Sequence, residues 1–250
     1  MNLNLEGKTF FVSGSTQGIG LGIAKGLLEE GANVILNGRD QEKYESIKIN
    51  LIGNHEFISG DVSEQEGSIR VFSFLEEKES LDGLVCNVGS GSSVPPGQET
   101  QSEWERVLKT NFFSATNLIE KCLPLLKKSG GNIICISSIC GQAALGAPLT
   151  YSASKAALNS YIKGLARVVG KDGIRVNAIA PGNIIFPGSV WERKTREDNV
   201  SVQKMLEKEV ALKRLGGPEE IAHLACFLSS AKASFITGSL VVADGGQLRS

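Results

Sequence analysis

The sequence predicts an α/β fold, one doubly wound parallel sheet of about seven strands with helices on both faces, and three observations support it. Short Val/Ile-rich runs recur along the chain, separated by longer amphipathic stretches. A glycine-rich turn follows the first run directly, and no linker, repeat or low-complexity tract divides the 250 residues. Strands that are apolar on both faces belong to sheets covered by helices on each side. The expectation is one domain over residues 1–250.

Each element follows from its local pattern. "KTFFVSG" is a short buried strand, and residues 18–30 read as a helix ended by Gly31, a natural C-cap. "ANVILNG" is the second strand, with a helix over 40–51, and "HEFISGDV" is the third, with a helix over 64–79. "LDGLVCNVG" is the fourth, followed by a helix over 101–128. "GNIICISS", a helix over 150–170, "IRVNAIAPG", a helix from Pro218 and "SLVVADGG" complete the series. Residues 183–216 break the rhythm with Pro, Gly, charge and a lone Trp191 after the sixth strand. An excursion at a strand's carboxyl end, where open sheets bind ligands, reads as a lid or substrate loop.

Composition narrows the function classes. The charges nearly cancel, 26 basic against 27 acidic residues, and no basic run offers phosphates a continuous track, which argues against a nucleic-acid partner. The apolar runs fall far short of the ~20 residues a membrane span needs, and a signal-peptide pattern is not seen, so the expected location is the cytoplasm. The five cysteines are scattered without a CxxC pair and are expected as buried free thiols. With His55 and His223 as the only histidines and no GxSxG elbow, neither a metal site nor a serine-histidine-acid triad is expected.

In "SGSTQGIG", Gly14, Gly18 and Gly20 lie between the first strand and a helix, with Ser15, Gln17 and Ile19 between them. Such a turn brings backbone N–H groups and the helix N-terminus up to a pyrophosphate, the binding site of a dinucleotide. At the end of the second strand, "ILNGRD" has Gly38 where an acid for the ribose hydroxyls would sit, followed by Arg39. Arginine pairs with a 2′-phosphate, which favours NADP(H) over NAD(H). The alternative is an exposed arginine beside Asp40, a helix cap. In "YSASKAAL", Tyr151 and Lys155 share a helix face, but so do Tyr44 and Lys48 in "YESIK", so spacing alone assigns neither pair a role.

Taken together, the motifs resemble those of the classical short-chain dehydrogenases/reductases over essentially the whole chain. "SGSTQGIG" is similar to TGxxxGIG, Asp61-Val62 to the adenine contact, and "CNVG", containing Asn87 and Gly89, to NNAG. Asn111, Ser138, Tyr151 with Lys155, and Pro181-Gly182 follow in the family's order. The resemblance implies a Rossmann-like fold and a catalytic tetrad of Asn111, Ser138, Tyr151 and Lys155. In it Tyr151 is the acid, Ser138 the carbonyl's hydrogen-bond donor, Lys155 the charge that lowers the phenol's pKa and holds the nicotinamide ribose, and Asn111 the anchor of a proton-relay water. It places Tyr151, Lys155, Pro181, Gly182 and Ile184 against the cofactor, and it implies a homo-oligomer, tetramer or dimer, built on the helices at 101–128 and 150–170 and the last strand. By contrast, "YESIK" lacks this context and reads as exposed helix surface.

The chain also departs from the pattern. Ser13 replaces threonine, Gln17 lacks a basic side chain and so leaves Arg39 to bind the phosphate alone, and Cys86 and Val88 replace Asn and Ala. Phe186 stands where a cofactor-binding threonine is common, and is expected to face substrate. Cys140, Gln142, Phe186 and Trp191 are the candidate substrate contacts. The expected activity is NADP(H)-dependent interconversion of a carbonyl and a secondary alcohol in a small molecule, similar to 3-oxoacyl-[acyl-carrier-protein] reductase. The alternatives are a sugar or sugar-nucleotide oxidoreductase, a non-catalytic nucleotide-binding regulator, and an epimerase or dehydratase that turns over no net cofactor.

Overall fold

A computed structural model describes residues 2–249. Seven parallel strands lie in the order β3-β2-β1-β4-β5-β6-β7. They are β1 (Thr9–Val12), β2 (Asn33–Gly38), β3 (His55–Ser59), β4 (Gly83–Cys86), β5 (Asn132–Ile136), β6 (Arg175–Pro181) and β7 (Leu240–Ala243). Winding runs one way from β1 to β3 and the other way from β4 to β7. The two halves therefore part above β1 and β4, leaving a crevice at their carboxyl ends where open sheets bind ligands.

Alternation along the strands sorts the core into two layers. Phe10 and Val12 pack beneath α1 (Gly18–Glu29) and α9 (Pro218–Ser229), against Ile23, Leu27 and Ile221. Phe11 faces the opposite layer, where Val71, Leu118 and Ile162 come from α3 (Gln65–Glu76), α5 (Ser114–Ser129) and α6 (Leu149–Val169). All three strand side chains are almost fully buried, as a sheet covered on both faces requires.

The helix expected over 101–128 is interrupted. It forms α4 (Gln101–Leu108), a π-helical turn at Lys109–Phe113 and α5. The buried Asn111 lies in that turn and bonds outward to a neighbouring loop, and such π-turns recur at functional sites. The short helix α2 (Gln41–Lys48) also differs from expectation. Lys48 is on the surface and pairs with Glu45, but Tyr44 is half-buried, stacked on Phe57 with centroids 4.3 Å apart and edge-on to His55. Its ring fills a gap under α2, so Tyr44 is packing rather than exposed surface.

The 183–216 excursion is stapled at its base. Ile185 N–H donates to Gly216 O at 2.8 Å, and Gly216 N–H to Asn183 O at 2.9 Å. Beyond that staple, α7 (Val190–Glu197) and α8 (Asn199–Glu209) enclose a small core of Val202, Leu206 and Val210. Cys86, Cys122, Cys135 and Cys226 are buried free thiols, while Cys140 is partly exposed. Among the described residues no helix is long and apolar enough to cross a membrane, and no group of His, Cys, Asp or Glu is placed to hold a metal ion.

Candidate active site

The glycine turn closes over the end of β1. Gly14 and Gly18 have φ of 61° and 56°, in the left-handed region that glycine alone enters freely. Gly20 is helical, but a Cβ there would lie 2.3 Å from Gly14 O and 2.5 Å from Asn87 Nδ2. That amide donates to Ser13 O and Gly14 O, at 3.1 and 3.0 Å, fixing the turn to the end of β4. Ser13 performs a threonine's task here, because its hydroxyl accepts from Asn87 N–H at 3.0 Å. Ser15 Oγ donates to Val12 O, and Ile19 packs into the core beneath the turn.

Asn37 explains why the neighbouring strand end holds its shape. It is almost fully buried, and its amide donates to Ile58 O at 3.1 Å and Gly60 O at 3.0 Å, joining β2 to the end of β3. Its neighbour Gly38 has no room for a side chain, since a Cβ would sit 2.6 Å from Thr16 Cγ2. Arg39 is exposed and lies 3.7 Å from Asp61 Oδ2. Asp61 Oδ1 accepts from Ser63, and Val62 turns into the core.

Gln17 does not leave Arg39 as the sole cation. Lys43, in the first turn of α2, donates through Nζ to Gln17 Oε1 and pairs with no carboxylate among the described residues. The sequence reading missed it. Its signal was a lysine four residues after Arg39, in a helix whose N-cap, Asp40, accepts from Lys43 N–H.

Asn111, Ser138, Tyr151 and Lys155 are brought together at the mouth of the crevice by three segments, the π-turn, the end of β5 and α6. The π-turn brings Asn111 and α6 brings Lys155 against Gly89, where a single Cβ would meet Asn111 Oδ1 at 2.8 Å and Lys155 Nζ at 3.1 Å. Asn111 spends its whole side chain locally: Oδ1 accepts from Ser90 N–H at 2.9 Å, and Nδ2 donates to Ser90 O and Val107 O. Lys155 is 3% exposed, donates to Ile136 O at 2.8 Å and lies 5.9 Å from the Tyr151 ring centre. Burial lowers its pKa to about 8. Burial also raises the Tyr151 phenol above its ordinary value, and Ser138 opposes it by hydrogen bonding. Lys155, with its pKa at about 8, is already neutral where a phenol raised above its ordinary value would titrate, so it does not lower Tyr151.

Ser138 follows β5 in extended conformation and accepts from Cys140 N–H at 3.1 Å. Next to it, Ser137 donates to Asn159 Oδ1, and the Asn159 amide donates to Gly141 O, so α6 holds both ends of the Ser138 segment. Cys140 lies close enough to Tyr151 to influence the phenol, and Gln142 is exposed at the rim.

The two remaining substrate candidates lie elsewhere. Phe186 is turned onto the glycine turn, with ring atoms 2.6 Å from where a Gly18 Cβ would stand, since the Ser189 bonds fold its loop inward. Trp191 packs on the excursion's own core, with Lys194 Nζ 4.7 Å above its ring. Pro181 and Ile184 are buried at the end of β6, with Gly182 between β6 and Asp244.

Comparisons with known proteins show the family. The profile of a family described as Enoyl-(Acyl carrier protein) reductase matches residues 14–247. The chain is 36% identical over 252 residues to the 3-oxoacyl-[acyl-carrier-protein] reductase FabG of Chlamydia muridarum, covering 98% of this chain and 99% of the relative. The Pseudomonas aeruginosa RhlG/NADP active-site complex superposes with a TM-score of 0.90 at 34% identity over 98% of each chain. The L-sorbose reductase of Gluconobacter frateurii, complexed with NADPH and L-sorbose, superposes with a TM-score of 0.92 at 32% identity over 100% of each chain. A dinucleotide turn at the switch point of a parallel sheet, the serine, tyrosine and lysine beside it, and full-length similarity to named reductases place this chain in the short-chain dehydrogenase/reductase family of NAD(P)-binding oxidoreductases.

Proposed function

We propose that the protein interconverts a carbonyl and a secondary alcohol with NADP(H) in preference to NAD(H), using Tyr151 as general acid and base. The observation that carries this reading is the convergence of Asn111 and Lys155 on Gly89, with Tyr151 and Ser138 alongside, at the end of the crevice that begins with the glycine turn.

The turn fits a dinucleotide, because Gly14 and Gly18 hold left-handed φ and a Cβ at Gly20 would strike Gly14 O, so only glycines let bare backbone pack this closely at the N-terminus of α1. Gly14, Ser15, Gln17, Gly18, Ile19 and Gly20 would hold the pyrophosphate side. Asp61 and Val62 would flank the adenine, and Asn87, Gly89, Pro181, Gly182 and Ile184 the nicotinamide side. The nicotinamide, when bound, supplies or accepts the hydride. Arg39 and Lys43 favour a 2′-phosphate. Arg39 shares its charge with Asp61, so Lys43, held by an amide rather than a carboxylate, brings the uncompensated one.

Hydride arrival at a carbonyl carbon leaves negative charge on oxygen. Ser138 Oγ donates a hydrogen bond to that oxygen, and Tyr151 Oη delivers the proton. While it keeps its proton, below about pH 8, Lys155 one helical turn away stabilises the phenolate left behind, and Asn111 keeps the Ser90 loop against the lysine. Conversion of Tyr151→Phe removes the acid without touching the cradle. The expected result is a loss of turnover on the order of 10²–10⁴-fold with NADPH binding retained. Near-normal turnover would refute the assignment.

A 3-oxoacyl thioester is the first substrate class, by similarity to the Chlamydia reductase. The hydroxyl-bearing loop Ser90–Ser93 and the likeness to the L-sorbose reductase favour a sugar as the second. NADPH consumption with acetoacetyl thioesters and with ketoses separates the two, and an inert result on both would refute each. Exposed Phe113, Leu149, Val168 and Phe235 support a homo-oligomer, to be tested by light scattering.

A further inference from the structure

The loop after β4 forms one wall of the crevice, and a single carboxylate organises it. Glu103, on α4, accepts from Ser93 Oγ at 2.7 Å and from Arg106 Nε and Nη2 at 2.8 and 2.6 Å. Arg106 Nη2 also donates to Ser92 O at 2.9 Å. Ser92 and Ser93 are thus both tied to one ion pair, whose carboxylate side chain is only 14% exposed.

The same network reaches the helix that carries Tyr151. Ser93 Oγ lies 2.6 Å from Thr150 Oγ1, and Thr150 has no solvent exposure. A carboxylate only accepts, so the single Ser93 proton goes to Glu103, and Thr150 must be the donor to Ser93. The chain runs in one direction, from Thr150 through Ser93 to Glu103. Thr150 immediately precedes Tyr151 in the first turn of α6, where no side chain caps the helix. With a pKa held down to about 2 by Arg106, Glu103 keeps its charge at any pH at which the enzyme works.

We propose that Glu103 is a positioning residue for Tyr151, acting through Ser93 and Thr150 to hold the first turn of α6 against the Ser92–Ser93 loop. This rests on the reading of Tyr151 as the acid. A displacement of reacting groups approaching 1 Å costs up to about 10²-fold in rate, so losing part of the tether is expected to cost roughly tenfold.

The test is a double-mutant cycle on kcat, with NADPH dissociation measured alongside. Glu103→Ala and Thr150→Val are each expected to lower kcat about tenfold, and the double variant to fall no further than the worse single, because both cut one chain. NADPH affinity should stay within about twofold, because the glycine turn is untouched. Multiplication of the two effects to about a hundredfold, or unchanged kcat in either single variant, would overturn the proposal. If Thr150→Val fails to fold, Ser93→Ala cuts the same chain at a half-buried loop position and takes its place in the cycle. Turnover surviving in Tyr151→Phe would strike the acid assignment instead, and coupling between Glu103 and Thr150 would still be read from the cycle.

Discussion

Burying Lys155 is expected to cost the fold stability, and replacement by methionine, a side chain of similar length without charge, exposes that cost. The lysine pKa falls from 10.5 to about 8, and at ~1.36 kcal/mol per unit this is a charging penalty of about 3 kcal/mol. Against it stands the Lys155 bond to Ile136 O, whose loss costs about 1 kcal/mol. Lys155→Met is therefore expected to be inactive yet more stable than the parent by about 2 kcal/mol at pH 7, or roughly 4–8 °C in Tm. The sign of the pH dependence follows from linkage. Because the folded-state pKa lies below the unfolded one, the penalty is complete below about 8 and disappears as pH rises from about 8 to 10.5. Urea denaturation of both proteins at several pH values reads this directly, since the cysteines and tyrosines are common to both. The advantage of Lys155→Met should shrink steadily above pH 8. A constant difference across that range, or a methionine variant less stable at pH 7, would refute the reasoning.

Gly20→Ala forces a methyl to within 2.3 Å of Gly14 O, so NADPH binding should weaken by at least tenfold and stability fall by about 1–3 kcal/mol, read by fluorescence titration and denaturation. Lys43→Gln should raise the Kd for NADPH severalfold, by about 1 kcal/mol, and leave that for NADH unchanged; equal effects on both cofactors would remove Lys43 from phosphate binding. Asn37→Leu strands two carbonyls at the end of β3 and should cost about 2–4 kcal/mol in denaturant midpoint experiments. The reductive kcat should fall as pH rises through about 8, where Lys155 loses its proton, and a pH-rate profile flat over that interval would separate the lysine from proton delivery.

How far the sequence foretold these features depends on the range of the interaction that produces each. The seven strands and the glycine turn were legible because their signals are contiguous: apolar runs of four to seven residues and glycines at fixed offsets. Tyr151 and Lys155 were separable from Tyr44 and Lys48 by their company along the chain, but the half-burial of Tyr44 depended on Phe57, thirteen residues away and invisible to local pattern. The π-turn escaped notice because its cause, the bonding of Asn111 to Ser90, joins two segments 21 residues apart. Phe186 read as a substrate contact from its position after β6, whereas the Ser189 hydroxyl that accepts from its amide folds the loop onto Gly18. The Glu103 network joins three separate segments, and none of its members forms a recognisable motif alone.

The stapled base of the 183–216 excursion has an engineering consequence. Its two ends meet at Asn183–Ile185 and Gly216, and the α7–α8 segment between them packs on its own Val202, Leu206 and Val210, while Phe186 before it and Leu212 after it, whose N–H donates to Gly245 O at 2.9 Å, tie the excursion to the rest of the fold. The segment is in effect a cassette. Exchange of residues 187–209 for those of another reductase, with the two backbone bonds at the base retained, is expected to leave the strand register and the glycine turn unchanged.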